Sequence, residues 1–213
     1  MMKHKIIPTI IAKNQNELNS LLNKYKKYFN YLQLDIMDGK FVKNKSNWFN
    51  FKLSKSYRYE AHLMVEDPEK WIKKNYSKFD AVIANFERVK NPLELIKFVK
   101  SKNKKIGFAI NPETSIRKLW PYLKYLDRIL ILMVHPGKYN AKFMPKSLNK
   151  IKELRKTYAN NIEVDGHMNP ETIEQCRRVG ANLFAVGSYL KDSKNLVVPI
   201  RLLNRALGID SKL

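Results

Sequence analysis

Two aspartates close an otherwise apolar run in the stretch LQLDIMDGKF, residues 32–41. A carboxylate is costly to remove from water and repels a second one, so buried carboxylates are normally paired, metal-bound or functional. Asp38-Gly39 has a local explanation, because Asp-Gly supplies the backbone angles of a tight turn. Asp35 has none, since it stands inside the apolar run. Other polar residues end other apolar runs: Gln33 beside Asp35, then His62, Asn85, Glu87, Asn111, His135 and Asp165. Taken singly, several have ordinary explanations. Asn111 reads as a helix cap, Glu87 as a solvated side chain and a lone His62 as a satisfied core histidine. As a set, Asp35, His62 and Asp165 do not. Two carboxylates and an imidazole in one pocket would repel or mispair unless a proton or a divalent cation held them together.

Such a meeting requires a fold that gathers separate strand ends. Strand-like runs at 5–12, 31–36, 59–65, 81–86, 105–110, 128–134, 161–165 and 182–187 alternate with helical segments. The helices are expected at about 15–29, 68–76, 91–102, 114–125, 145–159, 170–179 and 193–207. Asn-Pro-Glu-Thr occurs at 111–114 and again at 169–172, each time with a capping residue before proline and an acid in the first turn. Leu148, Ile151 and Leu154 recur at helical spacing, as a core-facing stripe should. Eight apolar strands with intervening helices predict a parallel sheet covered on its faces. Eight such units within 213 residues suit one (β/α)8 barrel over 1–213, with its active site at the carboxyl ends of the strands. An open doubly wound sheet would want a glycine-rich turn after the first strand, and Thr9-Ile10-Ile11-Ala12-Lys13-Asn14 contains no glycine.

Lys and Arg number 41 against 19 Asp and Glu, a net charge of +22. The lysines are spread through helices and loops (KYKKYF, EKWIKK, KFVKSKNKK) and form neither one arm nor one continuous block, and nothing in the sequence resembles a nucleic-acid-binding module. A solvated basic surface is therefore expected, with no nucleic-acid partner. No apolar run approaches the roughly 20 residues that cross a bilayer, so no membrane association is expected either. The start, MMKHKIIPTIIAKN, reads as a first strand and not a signal peptide. The single cysteine, Cys176, excludes an internal disulfide and fits a cytoplasmic location, as a small buried hydrophobe on a helix.

Five segments carry a more specific signal: LQLDIMDGKFVKN, EAHLMVEDP, FAINPET, MVHPGKYNAKFMPKSLNKIKELR and IEVDGHMNPETI, in this order and at these spacings. From Ile7-Pro8-Thr9 to Gly187-Ser188 the chain resembles the ribulose-phosphate 3-epimerase family. Related phosphosugar barrels use Asp-x-Lys-x-x-Asp, which neither DIMDGK nor EAHLMVED contains. The resemblance implies a TIM barrel of the ribulose-phosphate-binding type, acting on a ketose phosphate inverted at carbon 3 through a cis-enediolate. In the family one aspartate removes the proton and another delivers one to the opposite face, with a divalent cation stabilising the enediolate oxygens.

Carried onto this chain, the acid/base pair is Asp35 and Asp165, and both join His62 in holding the cation (Zn, Fe, Mn or Co). Met37 and Met64 match pocket-lining methionines, and Thr9 stands where the family usually has serine. The phosphate falls to Gly137, Asn140, Gly166, His167, Gly187 and Ser188. The implied partner is a small-molecule phosphosugar, and a homo-oligomer is compatible with it.

Three departures stand out. Gln33 replaces the second ligand histidine, and an amide oxygen is a poor ligand for zinc or iron, though harder cations accept it. The loop Gly137-Lys138-Tyr139-Asn140-Ala141 lacks two glycines that let amides converge on an anion; Asn140 tolerates positive φ, and Lys138 replaces part of the contact with charge. Asp-Gly-Gly becomes Asp165-Gly166-His167. Two alternatives stand beside the main reading: an epimerase of another phosphosugar, and a degenerate barrel that binds a phosphosugar or serves as an interaction subunit.

Overall fold

The computed structural model describes residues 3–137 and 141–209. Eight strands form the barrel: β1 (Lys5–Ile10), β2 (Tyr31–Asp38), β3 (Arg58–Met64), β4 (Ala81–Asn85), β5 (Lys105–Ile110), β6 (Arg128–Leu132), β7 (Asn161–Asp165) and β8 (Leu183–Val186). Each pairs in parallel with its sequence neighbour, and β1 closes on β8 (Ile7↔Ala185) and on β2 (Thr9↔Gln33). A two-residue strand, Lys45–Ser46, adds an antiparallel pair to Met37 and Asp38 at the top of β2. The expected (β/α)8 architecture is the observed one.

All eight residues of β2 are buried, as a strand covered on both faces requires. Leu32, Leu34 and Ile36 face outward into the large core between barrel and helices, with Leu18, Tyr25, Ile72 and Leu203. Tyr31, Gln33, Asp35 and Met37, on the alternate side, face the barrel axis. The axial space is partly apolar, with Ile83, Ala109, Leu130 and Leu132 in one cluster and Ile7, Tyr31 and Leu183 in another. Its floor is charged. Arg128 Nη1 donates to Glu60 Oε2 and, at 2.9 Å, to Glu163 Oε2, while the Tyr31 hydroxyl donates to Glu60 Oε2 at 2.9 Å. Gly107 makes room for this arginine, because a Cβ there would stand 2.6 Å from Arg128 Cγ.

The helices are α1 (Gln15–Tyr25), α2 (Pro68–Asn75), α3 (Pro92–Ser101), α4 (Leu148–Arg155), α5 (Pro170–Arg178), α6 (Ser188–Lys191) and α7 (Val197–Ala206). Asn169 caps α5 in a full capping box with Thr172, as its sequence predicts. Ile151 and Leu154 are buried on α4.

The segment expected as a helix at 114–125 is a 3₁₀ helix over Ile116–Tyr125, with Pro121 inside it. Proline lacks the N–H of an α-helical bond and its ring clashes with the carbonyl four residues earlier, so the tighter winding takes over. Its cap is Ser115, which accepts from the Arg117 amide, and not Asn111. The expected helix at 193–207 starts only at Val197, where Pro199 falls in the first turn and costs no intrahelical bond.

Candidate active site and metal centre

A cavity of about 790 Å³ opens at the carboxyl ends of the strands. Asp35 and His62 are side by side on β2 and β3, paired in register. Asp165 ends β7, which lies on the far side of β1 and β8 in the ring. The barrel closure brings all three together. His62 Nδ1 is 3.4 Å from Asp35 Oδ1 and 3.4 Å from Asp165 Oδ2. Gln33 Nε2 donates to the same two oxygens, at 2.8 Å and 2.9 Å. The amide thus sits beneath the carboxylates as a shared donor.

His62 is fully buried, and the two aspartate side chains are 7% and 16% exposed, so their charges are poorly screened. Burial raises the Asp35 carboxyl above the usual carboxylate range, and the charge of Asp165 raises it further, against the pull of His62 and Gln33. Burial also disfavours the imidazolium of His62, but the Asp165 and Asp35 carboxylates facing it at 3.4 Å outweigh it and push that pKa up to about 10. Without a cation between them, a proton on His62 holds the carboxylates together.

The same donors suit a divalent cation. One ligand atom from each of Asp35, His62 and Asp165 lies within 4.8 Å of the others. Buried His62 Nδ1 has no hydrogen-bond partner and faces both carboxylates, as a ligand nitrogen would. Gln33 does not offer an oxygen: its NH₂ faces the carboxylates, and buried Oε1 makes no hydrogen bond.

Thr9, Met37, Met64, Gly137, Gly166, His167, Gly187 and Ser188 all line the cavity. Asn140 and Lys138 lie outside the described residues. Gly166 takes φ +106, and a Cβ there would stand 2.5 Å from Val134 Cγ2. His167 takes φ +56 and keeps its side chain exposed, which is how a histidine fits where glycine is usual. Gly137 has φ +77 and lies against Val42, so the loop after β2 reaches over the loop after β6; Asn44 Nδ2 donates to the Gly137 carbonyl at 2.5 Å. Lys13, Lys43 and Lys45 stand at the rim, so part of the scattered basic charge faces the cavity, where it favours an anionic ligand.

Several residues have roles that differ from their sequence reading or escaped it. Glu87 is not simply solvated: Oε1 accepts from the Asn111 amide at 2.8 Å and from the Thr114 hydroxyl. His135 pairs with Glu113 at 3.1 Å, half exposed, and does not line the cavity. Asn47 had no assigned role. It takes φ +48 and donates through Nδ2 to the carbonyls of Ile10 (2.8 Å) and Asp35 (3.0 Å), tying the tops of β1 and β2. Its one sequence signal is that asparagine tolerates this backbone region better than most residues. Asp38 does make the expected turn, accepting from the amides of Lys40 and Phe41, and also from Glu66 after β3. Cys176 is buried, which pushes its thiol up to about 12 and makes it unreactive.

Comparison with known proteins agrees with this geometry. The family model described as the ribulose-phosphate 3 epimerase family matches residues 5–191. A ribulose-phosphate 3-epimerase of Eremothecium gossypii is 32% identical over 208 residues, covering 88% of this chain and 86% of that protein. Those of Schizosaccharomyces pombe and Chlamydia muridarum are 29% and 30% identical, covering 88% and 82% of this chain and 87% and 82% of their own. Among solved structures, a tryptophan synthase alpha-subunit from Pyrococcus furiosus superposes with a TM-score of 0.68 at 14% identity, covering 98% of this chain and 100% of that one. At that identity the likeness concerns the barrel alone.

Proposed function

The chain belongs to the ribulose-phosphate 3-epimerase family, and from that premise we propose that it interconverts D-ribulose 5-phosphate and D-xylulose 5-phosphate. The observation that carries this reading is the convergence of Asp35 and Asp165, from separated strands, on one imidazole nitrogen and one amide. Inversion at carbon 3 needs a proton removed from one face and returned to the other, hence two acid/base groups flanking the carbon. Asp35 and Asp165 supply them. At the start of each turnover one of them must be a carboxylate that accepts the proton and the other must carry the proton it delivers. A divalent cation held by Asp35, His62 and Asp165 supplies Lewis-acid stabilisation of the charge that develops on the enediolate oxygens.

Gln33 screens the two carboxylates through its NH₂ and binds no transition metal tightly. Two carboxylates and one imidazole accept Mn²⁺, Fe²⁺, Co²⁺ or Zn²⁺, and which of them occupies the site is set by supply as much as by the donors. Met37 and Met64 give the sugar an apolar wall and exclude water from the intermediate. The backbone amides of Gly166, His167, Gly187 and Ser188 receive the phosphate, aided by the loop at 137–141. The lysine rim draws in the anionic substrate. No helix among the described residues is long and apolar enough to cross a membrane, and a reducing cytoplasmic compartment fits the single cysteine.

Turnover of ribulose 5-phosphate by the purified protein, with and without a chelator and with Mn²⁺ restored, tests the assignment. Epimerisation that falls with chelator and returns with Mn²⁺ is expected. No turnover under any metal condition would favour the degenerate barrel.

A further inference from the structure

Asn85, at the end of β4, is fully buried and does not line the cavity. Its Oδ1 lies 3.1 Å from His62 Nε2, the ring nitrogen opposite the one that faces the aspartates. Its Nδ2 donates to Asn111 Oδ1 at 3.2 Å. Asn111 is itself held on both sides. Its amide donates to Glu87 Oε1 at 2.8 Å, and its carbonyl accepts from Lys150 Nζ at 2.8 Å. Lys150 also binds the carbonyls of Pro112 (2.6 Å) and Thr114 (2.7 Å), which immobilises this loop.

With Nδ2 committed to Asn111, Asn85 presents only an acceptor to His62. Nε2 must then carry a proton, and a neutral imidazole protonated at Nε2 has its lone pair on Nδ1. The opposite amide orientation would set NH₂ against Nε2, demand the proton on Nδ1 and aim an N–H at the space between the carboxylates. We propose that Asn85 is a positioning residue, which with Asn111 holds the His62 ring in the Nε2–H form so that Nδ1 is the atom offered to a divalent cation between Asp35 and Asp165. The partner of the far nitrogen commonly sets tautomer, orientation and basicity of a ligating histidine. Here that partner is a neutral carboxamide, so it orients the ring without adding negative charge to a site that already holds two carboxylates.

This inference rests on the metal-holding role given to His62 above, and its test is read without turnover. The chain contains four histidines, so ¹⁵N spectra of the labelled protein can be assigned with His62→Gln. Zn²⁺ serves as the probe because it is diamagnetic. The wild type is expected to show a slowly exchanging proton on His62 Nε2, with added Zn²⁺ shifting Nδ1. Asn85→Leu should lose the protected proton and about 10–100-fold in Zn²⁺ affinity by calorimetry. Asn85→Asp keeps an acceptor towards Nε2 and should retain the protected proton.

If Asn85→Leu does not fold, Asn111→Ala frees the Asn85 amide to turn over, and the same two losses are expected. The proposal is overturned if the variant that folds keeps both signal and affinity, if Zn²⁺ shifts Nε2, or if Zn²⁺ moves neither nitrogen of His62. A wild type that shows the predicted spectra and never epimerises would overturn the functional assignment and leave this inference standing.

Discussion

Replacing Asp35 by asparagine should separate catalysis from stability. The side chain is 7% exposed and shares both His62 and Gln33 with Asp165. Asparagine nearly preserves its shape and cannot exchange a proton with carbon 3. Losing one general acid/base costs about 10²–10⁴-fold in rate, or about 2.7–5.4 kcal/mol on the barrier. The folding balance has two opposed contributions. Removing one carboxylate relieves the burial and the repulsion that hold its proton affinity up, while His62 loses one of two anionic partners at 3.4 Å. The net change should stay within about 1 kcal/mol, and the melting temperature within about 4 °C for a chain of this size. The residues proposed to hold the phosphate are untouched, so KM should hardly move. A coupled assay for xylulose 5-phosphate with thermal melting of the same preparation measures all three quantities. A kcat within tenfold of wild type would refute the acid/base role. Collapse of the fold would refute the view that these carboxylates repel at a cost to stability. Asp165→Asn is expected to behave alike.

Gln33→His should tighten metal retention, because imidazole suits transition metals better than an amide; elemental analysis after dialysis against chelator checks it, and an unchanged metal content would count against the proposed centre. On the barrel floor, Arg128→Met should destabilise the protein by about 3–5 kcal/mol in urea unfolding, because it leaves two buried glutamates without their cation. Burial and the charge of Glu60 raise the Glu163 carboxyl well above its usual range, against the pull of Arg128. A raised carboxyl stabilises fully below the unfolded pKa of about 4.3 and loses that contribution as pH rises towards the folded value. Glu163→Gln is neutral at every pH, so its urea midpoint relative to wild type should climb as pH rises from about 4 to 7; parallel midpoints would refute the raised Glu163 carboxyl. His167→Gly should relieve the positive-φ cost of about 1–2 kcal/mol, partly offset by glycine's looser unfolded chain, and leave KM unchanged because the backbone amide remains. A raised KM would mean that the imidazole itself touches the substrate.

Strand and helix periodicity, the caps before Pro170 and the polar residues at strand ends are local properties, and they were legible in the sequence. Asp35 stood out in the same way, because a carboxylate inside an apolar run violates a burial rule that one sequence suffices to expose. The resemblance of five ordered motifs supplied the rest of the expected site. Winding at 116–125 was less legible, since Pro121 forbids a regular α-helix without stating what replaces it. Only the tertiary structure decided that Gln33 turns its NH₂ towards two carboxylates, one of them 132 residues away. The same holds for Asn85 behind His62, for Asn47 across the tops of β1 and β2, and for the arginine shared by two glutamates on the floor. The physical reason is common to all of them. Closing the ring sets the stagger between distant strands, and stagger decides which buried polar atoms come within about 3 Å of one another. A hydrogen bond depends on that distance and direction, and neither is encoded in the spacing of residues along the chain.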